Sequence, residues 1–138
     1  MSQTVIFWPV AVMALVTLFL NVPMFRARVA ATKSGKAKTS DFRLRTAEPD
    51  ESAKIVNAIT NQYETPVLYY AACIIAFVTG NATVLVIALA WLYGILKIAH
   101  IGIFVTSNRL RWRMPVFSLA LLVLFIMWLV LAFLLISG

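Results

Sequence analysis

The sequence predicts an all-α membrane protein built as a bundle of four transmembrane helices. Three observations predict it. Of the 138 residues, 62% are hydrophobic and 12% charged, whereas soluble domains carry about a quarter charged residues. The apolar residues gather in four blocks, roughly 5–25, 55–79, 82–105 and 115–136, each near the ~20 residues a spanning helix needs. Within these blocks polar and apolar residues do not alternate, as they would in the strands of a membrane β-barrel. No soluble module is visible, so residues 1–138 read as a single transmembrane domain.

The first helix, 5–25, is apolar until Asn21 and Pro23. It has no basic stretch before its apolar core and no small-residue cleavage site. A retained helix is expected, not a cleaved signal peptide. Arg26 and Arg28 follow where long side chains can snorkel to headgroups. The connection 26–54 is long and polar, running through TKSGKAKTSDFRLR into an acidic EPDES. Asp50, Glu51 and Ser52 offer capping groups and negative charge to the start of the second helix. The second helix, 55–79, contains NAITNQYETPVLYY, the most polar stretch within any block. The turn Thr79-Gly80-Asn81 is so short that helices two and three, 82–105, must form an antiparallel hairpin. RLRWRMP is a compact basic turn into the fourth helix, whose first turn suits Pro115. That helix is almost uniformly apolar. Cys73 is the sole cysteine, which excludes an intrachain disulfide and leaves packing as its role.

The formal net charge is +7, but its distribution argues against a nucleic-acid partner. Eight of the twelve Lys and Arg lie in the first connection: Arg26, Arg28, Lys33, Lys36, Lys38, Arg43, Arg45 and Lys54. Arg109, Arg111 and Arg113 occupy the third connection, and the second has no basic residue. If all four segments span, connections one and three share a side. The positive-inside rule places them in the cytoplasm and both termini outward, as a multi-pass protein of the cell inner membrane. The basic excess is then a topology signal and a contact for anionic lipid.

On a helix, successive residues advance about 100°. With Asn57 at 0°, Asn61 falls at about 40°, Glu64 at about −20° and Lys54 at about 60°, one polar stripe. On helix three, Lys97 and His100 lie about 60° apart with Phe104 between them. Helix two starts and helix three ends at the cytoplasmic side, so both polar faces fall at the same depth. Glu64 and Lys97 facing lipid would together cost around 5 kcal/mol. Two arrangements satisfy them: a polar ligand cavity closed by the arginines, or an interhelical Glu64–Lys97 pair with amide hydrogen bonds. One His, one Cys and one intramembrane carboxylate are too few for a typical zinc site. There is no glycine-rich phosphate loop and no Ser-His-Asp constellation.

Four helices, a basic first connection, Asn61-Gln62-Tyr63-Glu64 followed by a proline, the Lys97/His100/Phe104 spacing and an arginine-rich turn before helix four together resemble the MAPEG family, the membrane-associated proteins in eicosanoid and glutathione metabolism. NQYETPVLYY and HIGIFVTSNRLRWRMPVF look most like its bacterial branch. The resemblance implies a homotrimer of four-helix bundles. It implies glutathione as the cofactor, bound between subunits, and a lipophilic small molecule entering from the bilayer. Asn61 and Glu64 match residues that contact glutathione, Glu64 taking its amino group. Lys97 stands where the family often has arginine, and His100 where it has histidine or tyrosine. Phe104 replaces a ligand-bonding tyrosine. Asn57 occupies a position where the glutathione-using enzymes have arginine. Arg111 or Arg113 would hold the thiol as thiolate. The function implied is a glutathione- or thiol-dependent transferase or peroxidase acting on lipophilic electrophiles. The departures at Asn57 and Phe104 leave open a non-enzymatic lipid- or ligand-binding member of the same fold. A small multidrug exporter using Glu64 fits less well, because helix one has no carboxylate.

Overall fold

The computed structural model describes residues 2–43 and 48–137. Arg45 and the side chain of Glu51, both named above, lie outside the described residues. Among those residues every regular element is helical.

The first rod begins with a 3-10 turn, Gln3–Ile6, and continues through α1 (Phe7–Phe19) and α2 (Asn21–Lys33). A helix end is expected near Phe25, yet the chain stays helical to Lys33 and the polar connection is correspondingly shorter. Pro23 cannot donate to the Phe19 carbonyl, but helix continues on both sides of it. Leu20 keeps helical dihedrals (φ −60, ψ −23) and its N–H still reaches the Val16 carbonyl at 3.1 Å. The Asn21 side chain donates to the Leu18 carbonyl at 3.1 Å, adding a side-chain bond at the junction. Beyond α2, a short turn, Thr39–Arg43, precedes α3. The connection is tied back by Arg28, whose guanidinium forks onto the Glu48 carboxylate at 2.8 and 2.7 Å and lies over the Phe42 ring.

The second rod differs most from the sequence expectation. It starts early, at Asp50, and is broken into α3 (Asp50–Gln62) and α4 (Thr65–Val78). Pro49, not an acidic side chain, occupies the N-cap. The break has a local cause. Pro66 has no N–H for the Gln62 carbonyl and its ring crowds that group, and the residue before a proline is driven from helical geometry. The departure from helical dihedrals comes one residue earlier, at Glu64, with φ −98 and ψ −90. Tyr63 closes α3 by donating to the Thr60 carbonyl at 2.9 Å. Neither half, at 13 and 14 residues, is long enough to cross a bilayer alone. Among the described residues three helical stretches are long and apolar enough: Gln3–Lys33, Val84–Val105 and Leu110–Ser137. The broken α3–α4 rod is the fourth member of the bundle.

The hairpin turn forms as expected. Gly80 sits at φ +72, which glycine adopts at no steric cost. Its neighbour Asn81 donates to the Ala76 carbonyl at 2.8 Å. Thr83 caps α5 (Val84–Val105) by accepting from the Val86 N–H. At the same end the Gln3 side chain accepts from the Ala82 N–H at 2.9 Å, fastening the first rod to the hairpin.

The last helix, α6 (Leu110–Ser137), begins five residues before Pro115. Pro115 is therefore inside it, not in its first turn, and Arg111 and Arg113 are helical residues instead of turn residues. The core lies where α1, α4, α5 and α6 meet, around Met13, Tyr69, Cys73, Tyr93, Met127 and Leu131. Tyr69 and Tyr93 stack at 4.6 Å between ring centroids. Trp8 on α1, Ile95 on α5, and Phe125 and Phe133 on α6 remain exposed. Apolar surface on that scale marks a lipid-facing protein.

Candidate functional site

The site grows from the break in the second rod. The end of α3 leaves carbonyls without helical partners and carries partial negative charge that favours a nearby cation. Lys97 of α5 supplies it. Its side chain is fully buried, and its ammonium donates to Asn61 Oδ1 at 2.7 Å and to Thr65 Oγ1 at 3.2 Å. One bond goes to each side of the break, so Lys97 bridges α3 to α4. Because Asn61 Oδ1 accepts from Lys97, its Nδ2 is turned toward Glu64 Oε2, 3.4 Å away. No ion pair joins Glu64 to Lys97: the interhelical pair weighed from the sequence is replaced by neutral partners. Glu64 is exposed in the single chain.

His100 lies one turn beyond Lys97 and is also buried. Its ring packs against Phe117 at 5.2 Å and edge-on to Phe104 at 5.7 Å, and its Nδ1 has no hydrogen-bond partner among the described residues. Arg113 closes the group. Its guanidinium lies over the Phe104 ring at 4.1 Å and donates to the Asn108 side chain. Asn108 adopts φ +47 in the turn between α5 and α6, a conformation that asparagine tolerates better than most residues. Asn61, His100, Phe104, Arg113, Met114 and Phe117 line an open cavity of about 130 Å³.

Asn57 and Arg111 do not join them. Asn57 is exposed on α3. Arg111 is exposed and lies over Trp112. Two residues apart on one helix are turned about 200° from each other, so Arg111 and Arg113 cannot face one cavity together. Lys54, on the same expected stripe, donates to the Thr106 carbonyl at 3.3 Å. Thr65, Phe117, Asn108 and Met114 belong to the site but were not among its expected residues. Phe117 follows Arg113 by four positions and so shares its face, a relation visible only once α6 starts at Leu110.

The other side of the break faces a groove of about 380 Å³, lined by Thr17, Leu18, Gln62, Tyr63, Val67 and Tyr70 among others. Leu18, Tyr63 and Val67 are exposed, so the groove opens on the lipid-facing surface.

A model of the MAPEG family matches residues 6–133. The chain belongs to the MAPEG family. It has no match among curated proteins or among solved structures. Membership agrees with the all-helical bundle and its long apolar helices, and makes this MAPEG chain a membrane protein. Within it, Asn61, Lys97, His100, Phe104 and Arg113 converge, while Asn57 and Arg111 stand apart and Glu64 lies beside Asn61 at the surface.

Proposed function

We propose that this MAPEG chain is one subunit of a homotrimer in the cell inner membrane, with its basic connections cytoplasmic and both termini outward. There it binds a thiol, glutathione in the first instance, and conjugates or reduces lipophilic electrophiles. The observation that carries this reading is the convergence of Asn61, His100, Phe104 and Arg113 on one cavity at the break. The bound thiol supplies a nucleophilic sulfur, and the chain's residues prepare it. A free thiol has a pKa near ~8.5, and a neighbouring cation lowers it. Arg113 is the cation on this cavity, so it is assigned the thiolate and Arg111 is not. Phe104 and Phe117 exclude water, which strengthens that attraction. Asn61, held by Lys97, turns Glu64 toward a ligand amino group.

At about 130 Å³ the cavity suits the sulfur end of a thiol. It is below the ~300 Å³ at which small-molecule pockets usually begin. The rest of a tripeptide would lie along exposed Asn57 and Glu64, against a neighbouring subunit. The clamp for its carboxylates is weak, since Asn57 is neutral and Lys54 is engaged. One observation favours a second reading, a non-enzymatic ligand-binding member: Phe104 is committed to packing between His100 and Arg113, and offers no hydroxyl to a ligand.

The test is turnover of a lipophilic electrophile by purified protein with and without glutathione, in native, Arg113→Ala and Arg111→Ala forms. Thiol-dependent turnover that falls by about 100-fold or more in Arg113→Ala, and little in Arg111→Ala, supports the assignment. Turnover indifferent to thiol and to both substitutions would sink it.

A further inference from the structure

A cavity larger than the one at this site lies elsewhere. It is a cleft of about 480 Å³ between α2 and the Thr39–Arg43 turn. Phe25, Val29 and Phe42 give it apolar walls, and Arg28, Lys33 and Thr39 contribute polar groups. A second groove of about 380 Å³ runs down the other side of the same Phe25–Val29–Lys33 ridge, where Arg26 joins the lining. Phe25 and Val29 are more than half exposed.

The height of this cleft follows from the length of the first rod. From Gln3 to Lys33 it has 31 residues, about 46 Å at 1.5 Å per residue. The hydrocarbon core is about 30 Å thick. Gln3 is fastened to the turn at the non-basic end, so about 16 Å of the rod, the part beyond Pro23, stands in the headgroup region at the basic end. There the apolar ridge is no longer surrounded by acyl tails.

Charge selects what covers it. α2 holds Arg26, Arg28 and Lys33 and no acidic residue. Arg28 is committed to Glu48, whose side chain is 3% exposed. Lys33 has no partner among the described residues. A second copy docking by this same face would bring its own Arg26 and Lys33 against the same two residues. A molecule with apolar tails and an anionic head at headgroup height matches both parts. We propose that the α2 cleft is a specific site for an anionic phospholipid, its glycerol and upper acyl segments against Phe25, Val29 and Phe42 and its phosphate at Lys33 and Thr39. Arg28 acts here as a positioning residue: its pair with Glu48 and its stacking on Phe42 hold the outer wall in place.

The experiment is native mass spectrometry of the full chain in detergent, with phosphatidylglycerol and phosphatidylethanolamine of matched acyl chains at equal concentration. The native chain should retain phosphatidylglycerol in preference. Lys33→Gln, an exposed and fold-neutral change, should reduce that preference about fivefold, one basic residue's share. Lys38→Gln, equally basic but outside the cleft, should leave it unchanged. Val29→Asp should abolish retention. Equal retention of both lipids by the native chain would overturn the proposal. So would equal losses in Lys33→Gln and Lys38→Gln, which would indicate a diffuse basic surface. A change in oligomer order in Val29→Asp with lipid retention intact would also overturn it, by making the ridge a contact between copies.

Discussion

Lys97 is the residue on which the site's geometry turns. A buried ammonium is costly unless its donors are satisfied, and here Asn61 and Thr65 satisfy two of them. The two ends of the Lys97–Asn61 bond are not equivalent. Asn61→Leu strands a buried charge and should destabilise the protein by on the order of 3 kcal/mol. Lys97→Met strands only two neutral groups and should cost about 1 kcal/mol. Unfolding of the two variants in matched detergent compares them, and an equal or reversed ranking would contradict the role given to Lys97. The importance of Asn61 and Lys97 was legible in the sequence because polar residues inside apolar blocks demand partners. Which partners they choose was not. Opposite charge pointed to Glu64, and the break moved Glu64 to the surface while bringing Thr65 within reach.

At the scale of elements, the break between α3 and α4 does the positioning. Polar backbone freed inside a membrane protein is tolerated where it is buried in protein or lines a cavity, and both kinds of surroundings flank this break. Pro66→Ala restores an N–H for the Gln62 carbonyl and removes the clash. The variant should carry helical hydrogen bonding through residues 63–66, so the amides of residues 63–65, present in both forms, exchange more slowly with deuterium, and its affinity for thiol should fall as Asn61 and Thr65 separate. Unchanged exchange at those amides would show that tertiary packing, not the proline, holds the break. The sequence displayed Pro66 openly, but apolar periodicity continued on both sides and favoured a single helix over 55–79. At α6 the reverse happened: Pro115 read as a start signal, while the helix had begun at Leu110. That shift separates the two arginines, because helical spacing sends Arg111 and Arg113 to opposite faces. Three arginines near a helix N-terminus oppose the helix dipole. This local disadvantage is understandable if Arg113 is placed there for an anion.

For the whole molecule, composition alone established the class. A chain with 12% charged residues and four apolar blocks has few soluble alternatives, and the helical bundle follows. The first rod's extension to Lys33 was hidden because a polar sequence after an apolar run resembles a loop. The helix continues there on Ala and Arg, which are strong helix formers. Two properties of the assembly are open to direct measurement. With basic connections in the cytoplasm, a Lys38→Cys variant in intact cells should resist a membrane-impermeant maleimide and react after permeabilisation; labelling of intact cells would reverse the orientation. In the proposed trimer a neighbouring subunit covers exposed Asn57, Glu64 and Arg111, so crosslinking in native membranes should stop at trimer, whereas monomer alone would remove the second wall proposed for the site.

The central claim is that Arg113, on the cavity shared with Asn61 and His100, holds a thiol as its anion. Ultraviolet difference spectroscopy of purified protein titrated with glutathione at neutral pH measures the thiolate directly. The account predicts a saturable thiolate absorbance in the native protein and in Arg111→Gln, and its loss in Arg113→Gln. Absence of the signal in the native protein, or its survival in Arg113→Gln, would contradict it.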